Sequence, residues 1–170
     1  MPSRIAPPEA RPIAVSIRHP RLRAPRGAVE ALIAELDAQA ARLSPGGRGV
    51  PAGELSVAFL GDAELAGLHG RFLRDPSTTD VITFEGAPEL GVAGEICVSV
   101  DTALAYARQS GREFPAELAL YVVHGWLHLA GHDDLQPAKK RAMRRAEARA
   151  MSILAKAGAL PRFSLKTRGR

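Results

Sequence analysis

Three of the chain's five histidines fall within nine residues, in the run His124-Gly125-Trp126-Leu127-His128-Leu129-Ala130-Gly131-His132, and Asp133 and Asp134 follow directly. Imidazoles at i and i+4 share one helix face with Cβ atoms about 5–6 Å apart, the spacing of a pair of metal ligands. The residues before them, Leu118, Leu120, Tyr121, Val122 and Val123, make that helix apolar nearly all round, so it should be buried. A single buried histidine is ordinarily a hydrogen-bonded core residue. Two at ligand spacing, with further donors past a glycine, point to a bound metal.

Geometry narrows the third ligand. On an unbroken helix His132 would lie about 12 Å from His124 along the axis, too far for both to reach one zinc, whose bonds are about 2 Å long. Gly131 lets the backbone turn sharply, and the residue six after His128 then returns towards the metal. That is the metzincin spacing H-x-x-x-H-x-x-G-x-x-H, and the returning residue here is Asp134. His124, His128 and Asp134 are therefore the expected ligands, with His132 the alternative to Asp134. Three protein ligands leave a coordination position open, the catalytic rather than the structural arrangement. In H-E-x-x-H peptidases the residue after the first histidine is the general base. Here it is Gly125, which argues against peptide hydrolysis by that route.

The elements needed to hold these residues follow from pattern. Ile13, Val15 and Ile17 alternate as in a strand, and residues 27–43 repeat apolar positions at helical spacing. ELSVAFLG, TDVITFE and VAGEICVSV read as further strands. Asp62 should cap a helix to about residue 73, and Ser99 or Asp101 one to about Ser110, stopped by Gly111. Pro115 opens the histidine-bearing helix, and a last helix runs from Pro137 to about Ala157. The expected class is α+β, a small mixed sheet of about four strands with helices on its face and a metzincin-like zinc helix. The expected organisation is a loose arm at 1–11, one metal-dependent hydrolase domain at 12–160 and a basic tail at 161–170. Cys97, Trp126 and Ser99 read as core or strand-end residues.

Charge is unevenly spread. Residues 136–170 carry eleven basic residues against one acid, Glu147, whereas residues 1–135 are net acidic. Such asymmetry favours a polyanionic partner. Lys139, Lys140, Arg144 and Arg145 would meet phosphates, while Met143, Ala146, Ala150, Ile153 and Leu154 pack the helix down. With aromatics at only 5%, stacking should be secondary to phosphate contact. No apolar run is long enough for a membrane span and no signal peptide precedes the domain, so the expected location is cytoplasmic.

The chain also resembles the YbeY family of bacterial endoribonucleases and ribosomal RNA maturation factors. The resemblance rests on Thr78-Thr79-Asp80-Val81-Ile82-Thr83-Phe84, on Gly94-Glu95-Ile96-Cys97-Val98-Ser99, on Leu68-His69 and on His124 to Asp134, over about residues 60–135. It implies a zinc-dependent, single-strand-specific endoribonuclease acting in 16S rRNA 3′-end maturation and ribosome quality control, with RNA and the small ribosomal subunit as partners. The family usually has histidine where this chain has Asp134, and many members have a functional arginine where it has Leu73. Arg71 and Arg74 flank that position and would take the arginine's part in stabilising charge on the phosphorane. Asp133, Glu95 or a neighbouring acid would take up the proton. The competing readings are an RNA-binding ribosome assembly factor whose metal is mainly structural, and a peptidase, which Gly125 and the basic tail disfavour.

Overall fold

A computed structural model describes residues 10–73 and 80–168. In chain order the elements are β1 (Ile13–Ile17), β2 (Leu22–Arg23), α1 (Ala28–Ala38), α2 (Ala40–Leu43), β3 (Glu54–Leu60), α3 (Asp62–Leu73), β4 (Val81–Ala87), β5 (Val92–Ser99), α4 (Val100–Ser110), α5 (Phe114–Leu129), α6 (Pro137–Ala157) and β6 (Ser164–Leu165). The main sheet has the order β1-β3-β5-β4, as a four-stranded mixed sheet. β1, β3 and β5 run parallel, and β4 is antiparallel to β5.

Strand side chains alternate between the two faces of the sheet. Leu55, Val57 and Phe59 of β3, with Ile96 and Val98 of β5, belong to the large core shared with α1, α4, α5 and α6. Their neighbours Ala58, Leu60 and Cys97 join Ile82 in a smaller cluster on the opposite face, closed by Leu65 of α3. So helices cover both faces, not one. Burial pushes the Cys97 thiol up to about 12, helped by nearby Glu95, as suits a core residue.

α5 is the central helix. Leu118, Ala119, Val122, Val123, Trp126 and Leu127 are all fully buried, the leucines and valines each contributing about 1.5–3 kcal/mol. The Trp126 indole donates to Asp37 Oδ1 at 3.0 Å, so its one polar atom is satisfied. Gly125 faces β5, where a Cβ would stand 2.4 Å from Ile96 Cγ2. Absence of a side chain is what lets helix and sheet approach so closely.

Ser99 caps α4, its hydroxyl accepting from the Thr102 N–H at 3.0 Å, and Gly111 ends that helix in the left-handed conformation. Two local features differ from expectation. The helix expected over 27–43 changes direction at Gln39, which brings the Leu43 carbonyl within 2.7 Å of His132 Nε2. Residues 161–168 are not simply a tail: Phe163 is buried against Phe59, and β6 pairs with β2. Of the expected N-terminal arm, residues 1–9 lie outside the described residues, while Arg11 is held by Asp37 at 2.7 Å.

Candidate metal centre

The helical spacing that suggested a ligand pair is realised on α5. His124 Nε2 and His128 Nε2 stand 3.0 Å apart, with the rings edge to face. Helix α5 then stops in a Schellman turn. The Gly131 N–H bonds the His128 carbonyl at 3.1 Å, the His132 N–H bonds the Leu127 carbonyl at 3.0 Å, and Gly131 has φ +108°. The turn returns the chain so that Asp134 Oδ2 lies 3.7 Å from both Nε2 atoms. One ligand atom from each of His124, His128 and Asp134 falls within 4.8 Å of the others, as one shared ion requires.

The same turn separates His132 from the other donors. His132 points away and bonds the Leu43 carbonyl, so it stands outside the ligand group. Its role is to tie the bend to α2.

A fourth residue completes the centre, and sequence reasoning missed it. Glu147 Oε1, on α6, lies 2.5 Å from His124 Nδ1. With Nδ1–H given to that carboxylate, Nε2 keeps its lone pair for a metal, the usual carboxylate–histidine–metal relay. Burial opposes protonation of His124, but the bond to Glu147 and its charge outweigh burial, and the pKa rises. His128 moves the other way, lowered by burial and by its neighbour His124. The donor set, two imidazole nitrogens and one carboxylate oxygen with a braced outer shell, fits a divalent cation.

His124, Asp134 and Glu147 line one cleft of about 800 Å³, together with Lys140 and Arg144. A second cleft of about 480 Å³ lies across the Gly131 turn, lined by His132, Asp133, Lys139, Arg145 and Arg149. The four expected phosphate-contacting residues are all exposed but divide between the clefts, two to each. Asp133 is in the second cleft. It accepts from Lys139 Nζ at 2.9 Å and from the Leu135 N–H at 3.1 Å, and its pKa is lowered chiefly by the lysine. Arg71 is exposed at the end of α3, where its Nε donates to the Gly67 carbonyl at 3.3 Å. Arg74 lies outside the described residues. Gly125, in the place of the peptidase general base, faces Ile96 rather than the cleft.

Fold and site together define an α+β domain with a solvent-reached, three-donor centre able to hold one cation in a partly basic cleft. Residues 23–155 match the family model described as Endoribonuclease YbeY, and the chain belongs to that family. An Endoribonuclease YbeY of Rhodopirellula baltica is 39% identical over 132 residues, covering 75% of this chain and 67% of the relative. One from Koribacter versatilis is 42% identical over 81 residues, covering 48% of this chain and 53% of the relative. The chain thus spans about half to three quarters of the length of the curated relatives it matches. A solution structure from Thermotoga maritima shares the fold, with TM-score 0.57 and 23% identity over 86% of this chain and 92% of that one. Among the described residues, no helix is long and apolar enough to cross a membrane.

Proposed function

We propose that this protein is a zinc-dependent endoribonuclease acting on single-stranded RNA, with ribosomal RNA of the small subunit, at the 16S 3′ end, as its substrate, in ribosome maturation and quality control in the cytoplasm. The observation that carries the reading is the braced triad of His124, His128 and Asp134, two of whose members, His124 and Asp134, share a cleft with Lys140 and Arg144. A zinc ion there supplies Lewis acidity and an activated water near neutral pH.

The chain's own groups do the rest. Glu147 holds the His124 ring at Nδ1 and fixes its tautomer. Lys140 and Arg144 draw the phosphate backbone into the cleft from one side of α6, and Lys139 and Arg145 extend the contact across the turn. Arg71 and Arg74 stabilise charge growing on the phosphoryl oxygens. Asp133, across the Gly131 turn from the triad's cleft, would take up the proton. Lys139 weakens Asp133 as a base, so Asp133→Asn should cost less activity than loss of a ligand.

The test is single-stranded RNA incubated with the purified protein, with and without chelator, with casein as a control. RNA cleavage that chelator removes and zinc restores is the expected result. Metal-loaded protein that binds RNA without cutting it would instead favour the assembly-factor reading.

A further inference from the structure

The triad's cleft extends well past the metal ligands. Its far end is walled by Thr102 and Tyr106 of α4, by Arg112, and by Glu117 and Tyr121 of α5. Glu117, Tyr121, His124 and His128 form one stripe along α5. By helical rise, Glu117 lies about 10 Å from His124, too far to be a ligand and roughly one nucleotide from phosphate to base edge.

Glu117 is an unusual residue to find there. Its side chain is only 4% exposed, and among the described residues its one ion-pair partner is Arg112 Nη1 at 3.7 Å, longer than a hydrogen bond. Burial raises its pKa, against the pull of Arg112, with Asp80 and Glu147 adding to the rise. Among the described residues no buried side-chain oxygen lacks a partner, so the Glu117 oxygens, which make no short bond, meet the cleft surface and are open to donors entering it. Tyr106 lines the same cleft, 45% exposed, with the Arg112 guanidinium 5.8 Å over its ring. An exposed aromatic face with an arginine against it is how single-stranded bases are held.

We propose that this end of the cleft is a base-reading subsite, in which Glu117 accepts hydrogen bonds from the Watson–Crick edge of a guanine next to the scissile phosphate while the free face of Tyr106, backed by Arg112, stacks on its ring. The proposal rests on the endoribonuclease reading for its placement beside the scissile bond. Guanine suits a carboxylate because its N1–H and N2–H donate side by side to the two oxygens. Adenine and cytosine offer one amino group each. Uracil sets a carbonyl on either side of its single N–H, and both would face the carboxylate.

The experiment uses the zinc-loaded full chain and uncleavable 2′-O-methyl pentauridylates whose central base is G, A, C or U, read by fluorescence anisotropy. The guanine probe should bind roughly tenfold to a hundredfold tighter than the all-uridine probe, the range of a charge-assisted hydrogen-bond pair. Glu117→Gln, isosteric and uncharged, should bring that ratio near one at unchanged melting temperature and zinc content. Tyr106→Leu should weaken both probes by about tenfold and leave the ratio alone. A wild-type ratio near one would sink the subsite, as would a ratio that survives in Glu117→Gln. Cleavage mapping on a mixed-sequence single strand separates this from the broader reading. Chelator-sensitive cuts with no bias towards guanine overturn the subsite alone. Guanine-selective binding without any cutting overturns the nuclease and leaves the subsite standing.

Discussion

Two histidine–carboxylate groups among the described residues differ in what is left over. The first lies where β1, β3 and β5 end. His19 Nε2 donates to Asp101 Oδ1 at 3.1 Å, and His19 Nδ1 accepts from the Arg21 N–H at 3.3 Å. Asp101 Oδ2 takes the Asp62 N–H at 2.9 Å, and Asp62 Oδ1 accepts from both Ser99 and Thr102 hydroxyls. Both ring nitrogens of His19 and both oxygens of Asp101 are in use. The second group is the triad, where two ring nitrogens face each other at 3.0 Å and a carboxylate oxygen stands 3.7 Å from both. The first group is a lock that joins a strand end to a helix start. The second is a set of three donors able to hold one cation. Residue types alone do not separate lock from site; the count of unspent lone pairs does.

Substitution should break that contrast most visibly at the ligands. His124→Ala or His128→Ala is expected to abolish stoichiometric zinc uptake, measured by elemental analysis after dialysis, whereas His19→Ala should load fully. Next comes the brace: Glu147→Ala should weaken zinc binding about 10- to 100-fold, the usual cost of an outer-shell partner, in a chelator-competition titration. Equal affinity in that variant would mean the Nδ1 contact does not orient the ring. At the lock the loss should be one of stability. His19→Ala is expected to cost about 1 kcal/mol in urea melts, because it removes one hydrogen bond from a half-exposed carboxylate. His132→Ala should cost roughly 1 kcal/mol and leave zinc affinity intact. Asp134→Ala, two residues on, should lower affinity sharply.

The smallest effect is a pH slope. Burial opposes ionisation of Asp101, but the Asp62 N–H and His19 outweigh it and hold the pKa below its ordinary 3.8. A carboxylate with a depressed folded-state pKa stabilises above the unfolded value, and that contribution disappears as pH falls through the folded one. Asp101→Asn should therefore flatten the loss of stability on acidification below about pH 4, seen in urea melts between pH 5 and pH 3.

What the sequence made legible was local. The i, i+4 pair, the glycine stop and the return at Asp134 lie within eleven residues, so helix periodicity and bond lengths suffice to assemble them. Ser99 and Gly111 were legible as caps for the same reason. Glu147 was not, because it lies 23 positions beyond His124 on a different helix, and only the packing of α6 on α5 brings them together. A signal was present: Glu147 is the lone acid of the basic segment and follows Met143 by one turn, on the flank of its apolar stripe. The strand order could not be read, since each parallel crossover could have fallen on either side of β3. Nor could the β2–β6 ribbon, whose strands are two residues long and have no periodicity to show. The base-facing end of the cleft depends on α4 and α5 meeting, again a tertiary fact.

The close seat of Gly125 on Ile96 has a consequence for redesign. The height of both imidazoles above the sheet is set by a methyl group that is not there. Any attempt to graft a protease-style glutamate at residue 125 would first push α5 off β5 and carry the ligands with it. Conversion would have to begin on the strand, with Ile96 trimmed to alanine or glycine, before the helix could be touched.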